Sequence, residues 1–276
     1  MQVDDFERLK VGLESGDRVL TLEFDHGKVN EMGSAELREL ELICDRVASS
    51  DVRAIVSTSR RKSGSGKPIF IAGANVTERR GWDDARVKAH VRWQRDTLAA
   101  VRRLPVFHIC VVDGLALGWG TEFLLTADYV VTGPGSKMSL PETGLGILPG
   151  AGGTSELWST VGPGHALRLG MTGELIDAEE ALRIGLAHEA CASIDAGLER
   201  AMYLARLTAK KSPTAIAQFK SGVLDAIGLP AEVRREREAL AYEACVDSGD
   251  AAIGREHFAQ IRTGADVPWN PRGRDS

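Results

Sequence analysis

The chain has 276 residues, of which 43% are hydrophobic and 26% are charged; this balance is typical of a folded protein of one or two domains whose core needs no disulfide or metal. Its formal net charge is −5, which argues against a protein whose main task is to coat nucleic acid. The four cysteines have no CxxC spacing and no histidines at ligand spacing, so we expect reduced thiols and no metal site.

The first half of the chain is predicted to alternate strands with helices. Apolar patterns predict strands at 18–24, 53–58, 69–73 and 106–112, and helical spacing predicts helices at 34–48 and 82–104. Ser34 is the predicted N-cap of the first helix, and Pro105 is expected to close the second. This alternation indicates an α/β layered fold.

The second half of the chain is predicted to be mainly helical. Asp177 and Glu180 have the spacing of a helix start, and residues 195–263 are predicted to be helical, with breaks at 212–213 and 228–230. We therefore divide the chain into a core at 1–200 and a C-terminal helical region at 201–276. That region could be a lid, an oligomerisation element, or both.

The sequence predicts neither a leader peptide nor a membrane span. Residues 1–10 are charged and lack an apolar stretch. The most apolar window, 105–119, contains His108 and Asp113 and is shorter than the ~20 residues that a membrane span needs. We expect a soluble, cytoplasmic protein.

Several common catalytic motifs are missing from the sequence. There is no GxGxxG after a first strand, no GxxxxGK[ST], no GxSxG and no HExxH. Dehydrogenases, phosphoryl-transfer enzymes and zinc hydrolases are therefore disfavoured. The basic loop at 60–67 could contact phosphate, although a solvated loop is the simpler explanation.

Two glycine-rich strand ends are the first candidates for chemistry. One is 70–75, where a strand runs into Gly73 and exposes the backbone N–H of Ala74; the other is 113–122, where a helix is expected to begin near Gly120. Helix N-termini carry unsatisfied N–H groups, so the two ends together could hold an oxygen that becomes negative during a reaction. Glycines at such turns can also serve only to allow tight packing.

Two glutamates accompany these turns. Glu122 and Glu142 are 20 residues apart, and Glu142 precedes a second glycine-rich stretch at 144–154. Either glutamate alone would be explained as a solvated surface residue. Beside the two glycine turns, however, they could flank a cleft, share a water molecule and divide acid and base roles.

The order of these motifs resembles the crotonase superfamily, and within it the enoyl-CoA hydratases. The resemblance rests on Ala72-Gly-Ala74, Gly114-Leu-Ala-Leu-Gly-Trp-Gly-Thr-Glu122, Pro141-Glu142 and Leu148-Pro-Gly-Ala-Gly-Gly-Thr154, with weaker likeness at 22–30 and 250–258. It implies a crotonase-like spiral of ββα units, then an all-helical trimerisation region. It also implies acyl-CoA thioester substrates and a homotrimer or a dimer of trimers. No metal or redox cofactor is implied, and coenzyme A enters only as part of the substrate.

The resemblance also implies roles for individual residues. The backbone N–H groups of Ala74 and Trp119 would form an oxyanion hole for the thioester carbonyl. Glu122 would activate the water that attacks the β-carbon, and Glu142 would deliver a proton to the α-carbon. The residues implied in binding the coenzyme A part are Lys28, Val29, Ala72, Gly73 and Gly118.

Three positions depart from the family pattern. Trp119 stands where a glycine is usual, Asn75 replaces an aspartate, and Ser139-Leu replaces a phenylalanine-rich approach to Glu142. The Trp119 backbone can still donate a hydrogen bond, but its indole would change the acyl group accepted if it lined the pocket. We expect a small structural effect at Asn75.

Two kinds of alternative stay open at this stage. Within the family, the chain could be an enoyl-CoA isomerase, or a hydratase of a branched or cyclic dienoyl-CoA. Outside catalysis, it could be a binding or RNA-binding protein on the same fold. The presence of both Glu122 and Glu142 favours hydration, and the acidic charge disfavours RNA.

Overall fold

Two β-sheets form the frame of the structure, a computed structural model that describes residues 5–272. The strands are β1 (Leu9–Glu14), β2 (Val19–Phe24), β3 (Ala54–Thr58), β4 (Ile69–Ile71), β5 (Phe107–Val112), β6 (Leu115–Leu117), β7 (Tyr129–Thr132), β8 (Lys137–Ser139), β9 (Ile176–Asp177) and β10 (Glu189–Ala190). The larger sheet has the order β1-β2-β3-β5-β7-β10 and the smaller one the order β4-β6-β8-β9. Only the β1/β2 and β8/β9 pairs are antiparallel within these sheets.

Helices connect and cover the strands. They are α1 (Ser34–Ala48), α2 (Asp84–Arg103), α3 (Trp119–Leu124), α4 (Leu157–Thr172), α5 (Ala178–Arg183), α6 (Ile194–Ala209), α7 (Pro213–Ala226), α8 (Ala231–Asp247), α9 (Asp250–Glu256) and α10 (Phe258–Arg262). Two short 3₁₀ helices cover Val76–Arg79 and Pro141–Leu145. None of the helices between residues 5 and 272 combines the length and apolar character that a membrane span requires.

The predicted α/β character is confirmed, and so are the predicted strands and helices of the first half, with their ends shifted by up to two residues. The breaks at 212–213 and 228–230 do separate α6, α7 and α8. Strand β1 was not predicted, because Gly12 interrupts a short segment in which only Leu9 is fully buried. Residue 200 lies inside α6, and the division into two regions there stays a prediction.

The predicted N-cap at Ser34 is wrong by one residue. Gly33 is the N-cap of α1, and its N–H donates to the Glu36 carboxylate at 2.9 Å. Ser34 is the first helical residue, and both its N–H and its hydroxyl donate to Glu78. The serine side chain is therefore used in a long-range contact and not to cap its own helix.

The apolar core lies on both faces of the larger sheet. On one face, side chains of this sheet, the smaller sheet and the first helices form a large buried cluster that includes Phe24, Phe70 and Phe123. On the other face, α6 packs small residues such as Ala201 and Ala205 against Val56 and Val111. Burial on both faces explains why the central parallel strands are almost continuously apolar.

Helix α7 is held to the core by a buried ion pair. The Lys220 ammonium donates to Asp128 Oδ2 at 2.8 Å and to the Val106 carbonyl at 3.0 Å. Burial lowers the pKa of Lys220 and raises the pKa of Asp128, and the two charges oppose these shifts. Because both groups are largely removed from water, loss of one partner would leave an uncompensated charge.

We expect Lys220→Met to lower the free energy of unfolding by about 3 kcal/mol, because it leaves the Asp128 carboxylate without its counter-charge. Urea denaturation measures this loss. The Lys220→Met/Asp128→Asn double variant should recover most of it, and Lys211→Met at an exposed neighbour should cost about 0.5 kcal/mol or less. A single variant as stable as the Lys211 control would show that the pair does not anchor α7.

Candidate active site

Three parallel strands bring the candidate residues to one edge of the smaller sheet. Ile71 pairs with Ala116, and Leu117 pairs with Ser139. Since β4, β6 and β8 run in the same direction, their carboxyl ends lie side by side. The segments that follow these three strands carry Ala74, Trp119 and Glu142, so the register brings together residues far apart in the sequence.

Two backbone N–H groups are free at this edge. Gly73 has a φ of +105°, a value that favours glycine, and this turn frees the N–H of Ala74 from the strand ladder. Helix α3 begins at Trp119, so the Trp119 N–H has no acceptor in a preceding helical turn. Within residues 5–272 neither N–H has an acceptor. The pair can therefore donate to an oxygen of a bound molecule.

Glycines allow the close approach that this arrangement needs. A Cβ at Gly120 would overlap the carbonyl group of Ile71, so the start of α3 lies directly against the end of β4. Gly118 has a φ of +49°, and a Cβ there would overlap the Glu142 carboxylate. These contacts place both free N–H groups and Glu142 around one small space.

Glu122 lies in the first turn of α3 and is 3% exposed. Its Oε1 accepts hydrogen bonds from the Ala151 N–H at 2.7 Å and from the Gly153 N–H at 2.9 Å. Burial raises the pKa of Glu122 to about 7, although the two N–H donors favour the charged form and act against the shift. A carboxyl group with such a pKa can exchange a proton near neutral pH.

Glu142 lies in the 3₁₀ helix after β8 and is half-buried. Burial raises its pKa above the ordinary value for a glutamate, and its charge in turn raises the pKa of Glu122. Its Oε2 is buried and has no hydrogen-bond partner within residues 5–272. The charge of Glu142 thus acts on Glu122, and Glu142 has one carboxylate oxygen free to contact a bound molecule.

The turn that carries Lys28 and Val29 lies against the end of β4. The Val29 carbonyl accepts a hydrogen bond from the Ala72 N–H at 3.1 Å, next to Gly73. Lys28 is exposed in the wall of a cavity of about 430 Å³ whose other basic side chains are Arg8, Arg38 and Arg86. The same wall carries Glu31, Glu36 and Glu78, so its charges are mixed, and Lys28 is the exposed basic group of this turn.

Asn30 fixes this turn, a role that was not predicted from the sequence. It is fully buried at a φ of +56°, and its amide donates to the Phe24 carbonyl, the Ser59 hydroxyl and the Phe70 carbonyl at 2.7–3.0 Å. Its carbonyl accepts from the His26 N–H at 2.9 Å. One side chain thus ties the turn to the ends of β2 and β4.

The Trp119 side chain does not line the pocket, contrary to what its position first suggested. The indole is 2% exposed, stacks on Phe123 with ring centroids 5.6 Å apart, and belongs to the main apolar core. The two residues are one helical turn apart on α3, which explains the stacking. Trp119 therefore faces the site with its backbone only.

Asn75 caps the short helix that follows it, and the expected small effect of this substitution stays a prediction. Its Oδ1 accepts hydrogen bonds from the Glu78 N–H at 3.2 Å and from the Thr77 hydroxyl at 2.6 Å. An asparagine can cap this short helix as an aspartate would.

The glycine-rich turn at 149–154 binds Glu122 through two backbone N–H groups. The turn is itself held by a side chain of α2. Arg95 of α2 donates its Nε–H to the Gly150 carbonyl at 3.0 Å, and its charge lowers the pKa of Glu122. Arg95 was not predicted from the sequence, because it lies in an arginine-rich helix where no spacing distinguishes it. No cluster of three or more possible metal-ligand side chains occurs in the described part of the chain.

The chain is similar to known enoyl-CoA hydratases in sequence and in fold. The model of the family "Enoyl-CoA hydratase/isomerase" matches residues 14–265. The 2,3-dehydroadipyl-CoA hydratase of Escherichia coli is 35% identical over 197 residues, which are 71% of this chain and 75% of that protein. The short-chain-enoyl-CoA hydratase of Clostridium acetobutylicum is 27% identical over 252 residues, 91% of this chain and 94% of that one. The crystal structure of an enoyl-CoA hydratase from Bacillus anthracis has a TM-score of 0.85 at 28% identity and covers 95% of this chain and 99% of its own.

We expect Trp119→Ala to lower the free energy of unfolding by about 3–5 kcal/mol, because it leaves a cavity beside Phe123. Trp119→Phe should cost less, since it keeps an aromatic stack and removes an indole N–H that is buried without a partner. Urea denaturation measures both values. Trp158→Ala is the control, because Trp158 is 48% exposed; equal losses at the two positions would place the Trp119 indole outside the core.

Proposed function

The chain belongs to the enoyl-CoA hydratase/isomerase family of the crotonase superfamily, and we propose that it adds water reversibly across the 2,3 double bond of an enoyl-CoA thioester. The observation that carries this proposal is the placement of two glutamates with raised pKa values beside two unpaired backbone N–H groups. Hydration needs a base, an acid and a site for negative charge, and this set of groups can supply all three.

The N–H groups of Ala74 and Trp119 are the proposed oxyanion hole. In our proposal the thioester carbonyl oxygen accepts from both donors, and negative charge accumulates on it when water attacks the β-carbon. Fixed donors stabilise such a charge because they need no reorganisation during the reaction; loss of one donor in comparable sites costs about 3 kcal/mol.

Glu122 is the proposed general base and Glu142 the proposed acid. Glu122 would take a proton from the attacking water, and Glu142 would place a proton on the α-carbon. The free Oε2 of Glu142 and the raised pKa of both groups support acid/base chemistry at these two positions, and the division of roles follows the resemblance to the hydratases. Because the two groups are coupled, they could also act through one shared water molecule.

The coenzyme A part of the substrate is proposed to lie along the edge formed by Lys28, Val29, Ala72, Gly73 and Gly118. The hydrogen bond between Val29 and Ala72 and the exposed ammonium group of Lys28 support this placement. Arg60 and Arg61 of the basic loop are engaged with Asp195 and Asp25. The proposed chemistry uses the chain's own groups, and no metal or redox cofactor enters it.

We propose that the protein assembles as a homotrimer or a dimer of trimers. Large apolar side chains are exposed on the helical part of the single chain, as a surface that packs against other subunits would require; they are Leu167, Met171, Phe219, Tyr242 and Phe258. The cytoplasmic location, a role in fatty acid metabolism and the absence of nucleic acid and membrane partners stay predictions.

We expect Glu142→Gln to lower the hydration turnover by at least ~100-fold, because a general acid/base group contributes at least that much. The measurement is the loss of conjugated-enoyl absorbance after adding crotonyl-CoA, or longer and branched enoyl-CoAs if crotonyl-CoA is not used. Near-wild-type turnover in the variant, with an unchanged circular dichroism spectrum, would reject the role of Glu142. Double-bond migration without net addition of water would instead indicate an isomerase.

We expect kcat/KM for hydration to fall as the pH is lowered through about 7, because protonation removes the base at Glu122. The decrease should approach tenfold per pH unit well below that value. Initial rates from pH 5 to pH 9 measure the profile. A rate that is constant between pH 5 and pH 8 would contradict a base with the pKa of Glu122.

A further inference from the structure

A cavity of about 360 Å³ lies beyond Glu122 and is enclosed by parts of α2, α3, α4, α7 and the turn at 149–154. The inference drawn from it rests on the proposed function. If Glu122 activates the water that attacks the β-carbon, the acyl carbons beyond the β-carbon must continue past Glu122. Because Glu122 forms part of the cavity wall, this cavity is the natural place for the far end of the acyl group.

The wall of this cavity combines apolar side chains with arginines. Leu98, Leu125 and Ile227 offer apolar contacts for a short chain. Arg102 is neutralised by Glu156 at 3.3 Å, and Arg103 is paired with Asp225, so neither cation needs a partner from a ligand.

Arg95 differs from its two neighbours. Within residues 5–272 it forms no ion pair, and its one hydrogen bond is the Nε–H to the Gly150 carbonyl. This bond holds the guanidinium beside the residue whose N–H binds Glu122, while the two terminal nitrogens stay free. A guanidinium fixed at Nε presents its remaining N–H groups as a planar fork, which matches the two oxygens of a carboxylate.

We propose that Arg95 binds a carboxylate at the end of the acyl chain opposite the thioester, and that the substrates are 2-enoyl-CoA thioesters of short dicarboxylic acids. The cavity volume is within the range of ligand pockets and is large enough for a short acyl chain. The apolar wall contacts the methylene groups, and the free end of Arg95 contacts the carboxylate.

A carboxylate bound by Arg95 would also face Asp96, which carries the same negative charge. Asp96 lies in the same wall, is exposed and forms no ion pair within the described residues. Both side chains are exposed, but within residues 5–272 no hydrogen bond holds the Asp96 carboxylate, whereas Arg95 donates its Nε–H to the Gly150 carbonyl. We therefore expect Arg95 to attract the substrate carboxylate, and Asp96 to weaken this attraction without cancelling it.

The test compares two six-carbon substrates that differ only at the far end, trans-2-hexenedioyl-CoA and trans-2-hexenoyl-CoA. The readout is the ratio of their kcat/KM values for hydration, because any general effect on Glu122 cancels in the ratio. We expect the wild type to favour the dicarboxylic substrate, and Arg95→Gln to lower the ratio about 30-fold, which is about 2 kcal/mol at 1.4 kcal/mol per tenfold. Asp96→Asn should raise the ratio.

Arg92→Gln is the matched control, because Arg92 lies one turn earlier on α2, is exposed and is not part of the cavity wall. Its ratio should equal that of the wild type. A ratio that is unchanged in Arg95→Gln, or equally lowered in Arg92→Gln, would overturn the role of Arg95 while hydration itself continued. A fall in Asp96→Asn would also count against it.

A binding measurement separates this proposal from the proposed reaction. Calorimetry with the saturated thioesters adipyl-CoA and hexanoyl-CoA requires no turnover. We expect the wild type to bind adipyl-CoA more tightly and Arg95→Gln to lose that preference. A preference for adipyl-CoA without any hydration of the enoyl substrates would reject the hydratase and keep the carboxylate site. Equal binding of the two thioesters by the wild type would reject the carboxylate site.

Discussion

The close contact between the start of α3 and the end of β4 determines the geometry of the whole candidate site. It exists because Gly120 has no Cβ, so the helix backbone can lie directly against the Ile71 carbonyl group. A larger residue there would move α3 away from the strand and would separate the N–H groups of Ala74 and Trp119. Glu122 lies in the first turn of the same helix, so the proposed base and one proposed oxyanion donor move as a single rigid unit. Functional groups on such regular elements are held in place more precisely than groups on a loop.

The electrostatics of the site have a cost in stability. Burial raises the pKa of Glu122 from an ordinary 4.5 to about 7, so between these two pH values the native state keeps a proton that the unfolded state has released. The free energy of unfolding therefore decreases as the pH rises through this range, by on the order of 3 kcal/mol in total. The N–H groups of Ala151 and Gly153 and the charge of Arg95 limit this cost, because each favours the ionised carboxylate. The glycine-rich turn thus acts as a support that keeps Glu122 both buried and ionisable near neutral pH.

Much of the fold could be predicted from the sequence, and so could the strand ends that carry the candidate site residues, because each of these features depends on a short local segment; the roles of those residues stay proposals. The Ala72–Ala74 turn, the Gly118–Glu122 helix start and Pro141-Glu142 each follow a strand, and their glycines are required by geometry. The position of the Trp119 indole could not be predicted, because it depends on its stacking with Phe123 inside the core and not on the turn itself. Arg95 was missed for a similar reason. Its partner carbonyl, Gly150, is 55 residues away, and only the folded chain shows which of several arginines on α2 reaches that turn.

The structure also explains why the sequence motifs point to a reaction but not to an acyl group. The groups proposed for the reaction lie at the ends of β4, β6 and β8, whereas the cavity beyond Glu122 is enclosed by α2, α4 and the end of α7. Helix α7 reaches that cavity because Lys220 and Asp128 hold it against the core of its own chain, and Leu224 and Ile227 then contribute to the wall. Helix α7 therefore contributes to the wall of the proposed acyl cavity within its own chain, whatever contacts it makes with other subunits. Substitutions in α2 or α7 can alter the far end of the pocket without touching the glutamates or the oxyanion donors, so acyl specificity can vary while the reaction chemistry stays the same.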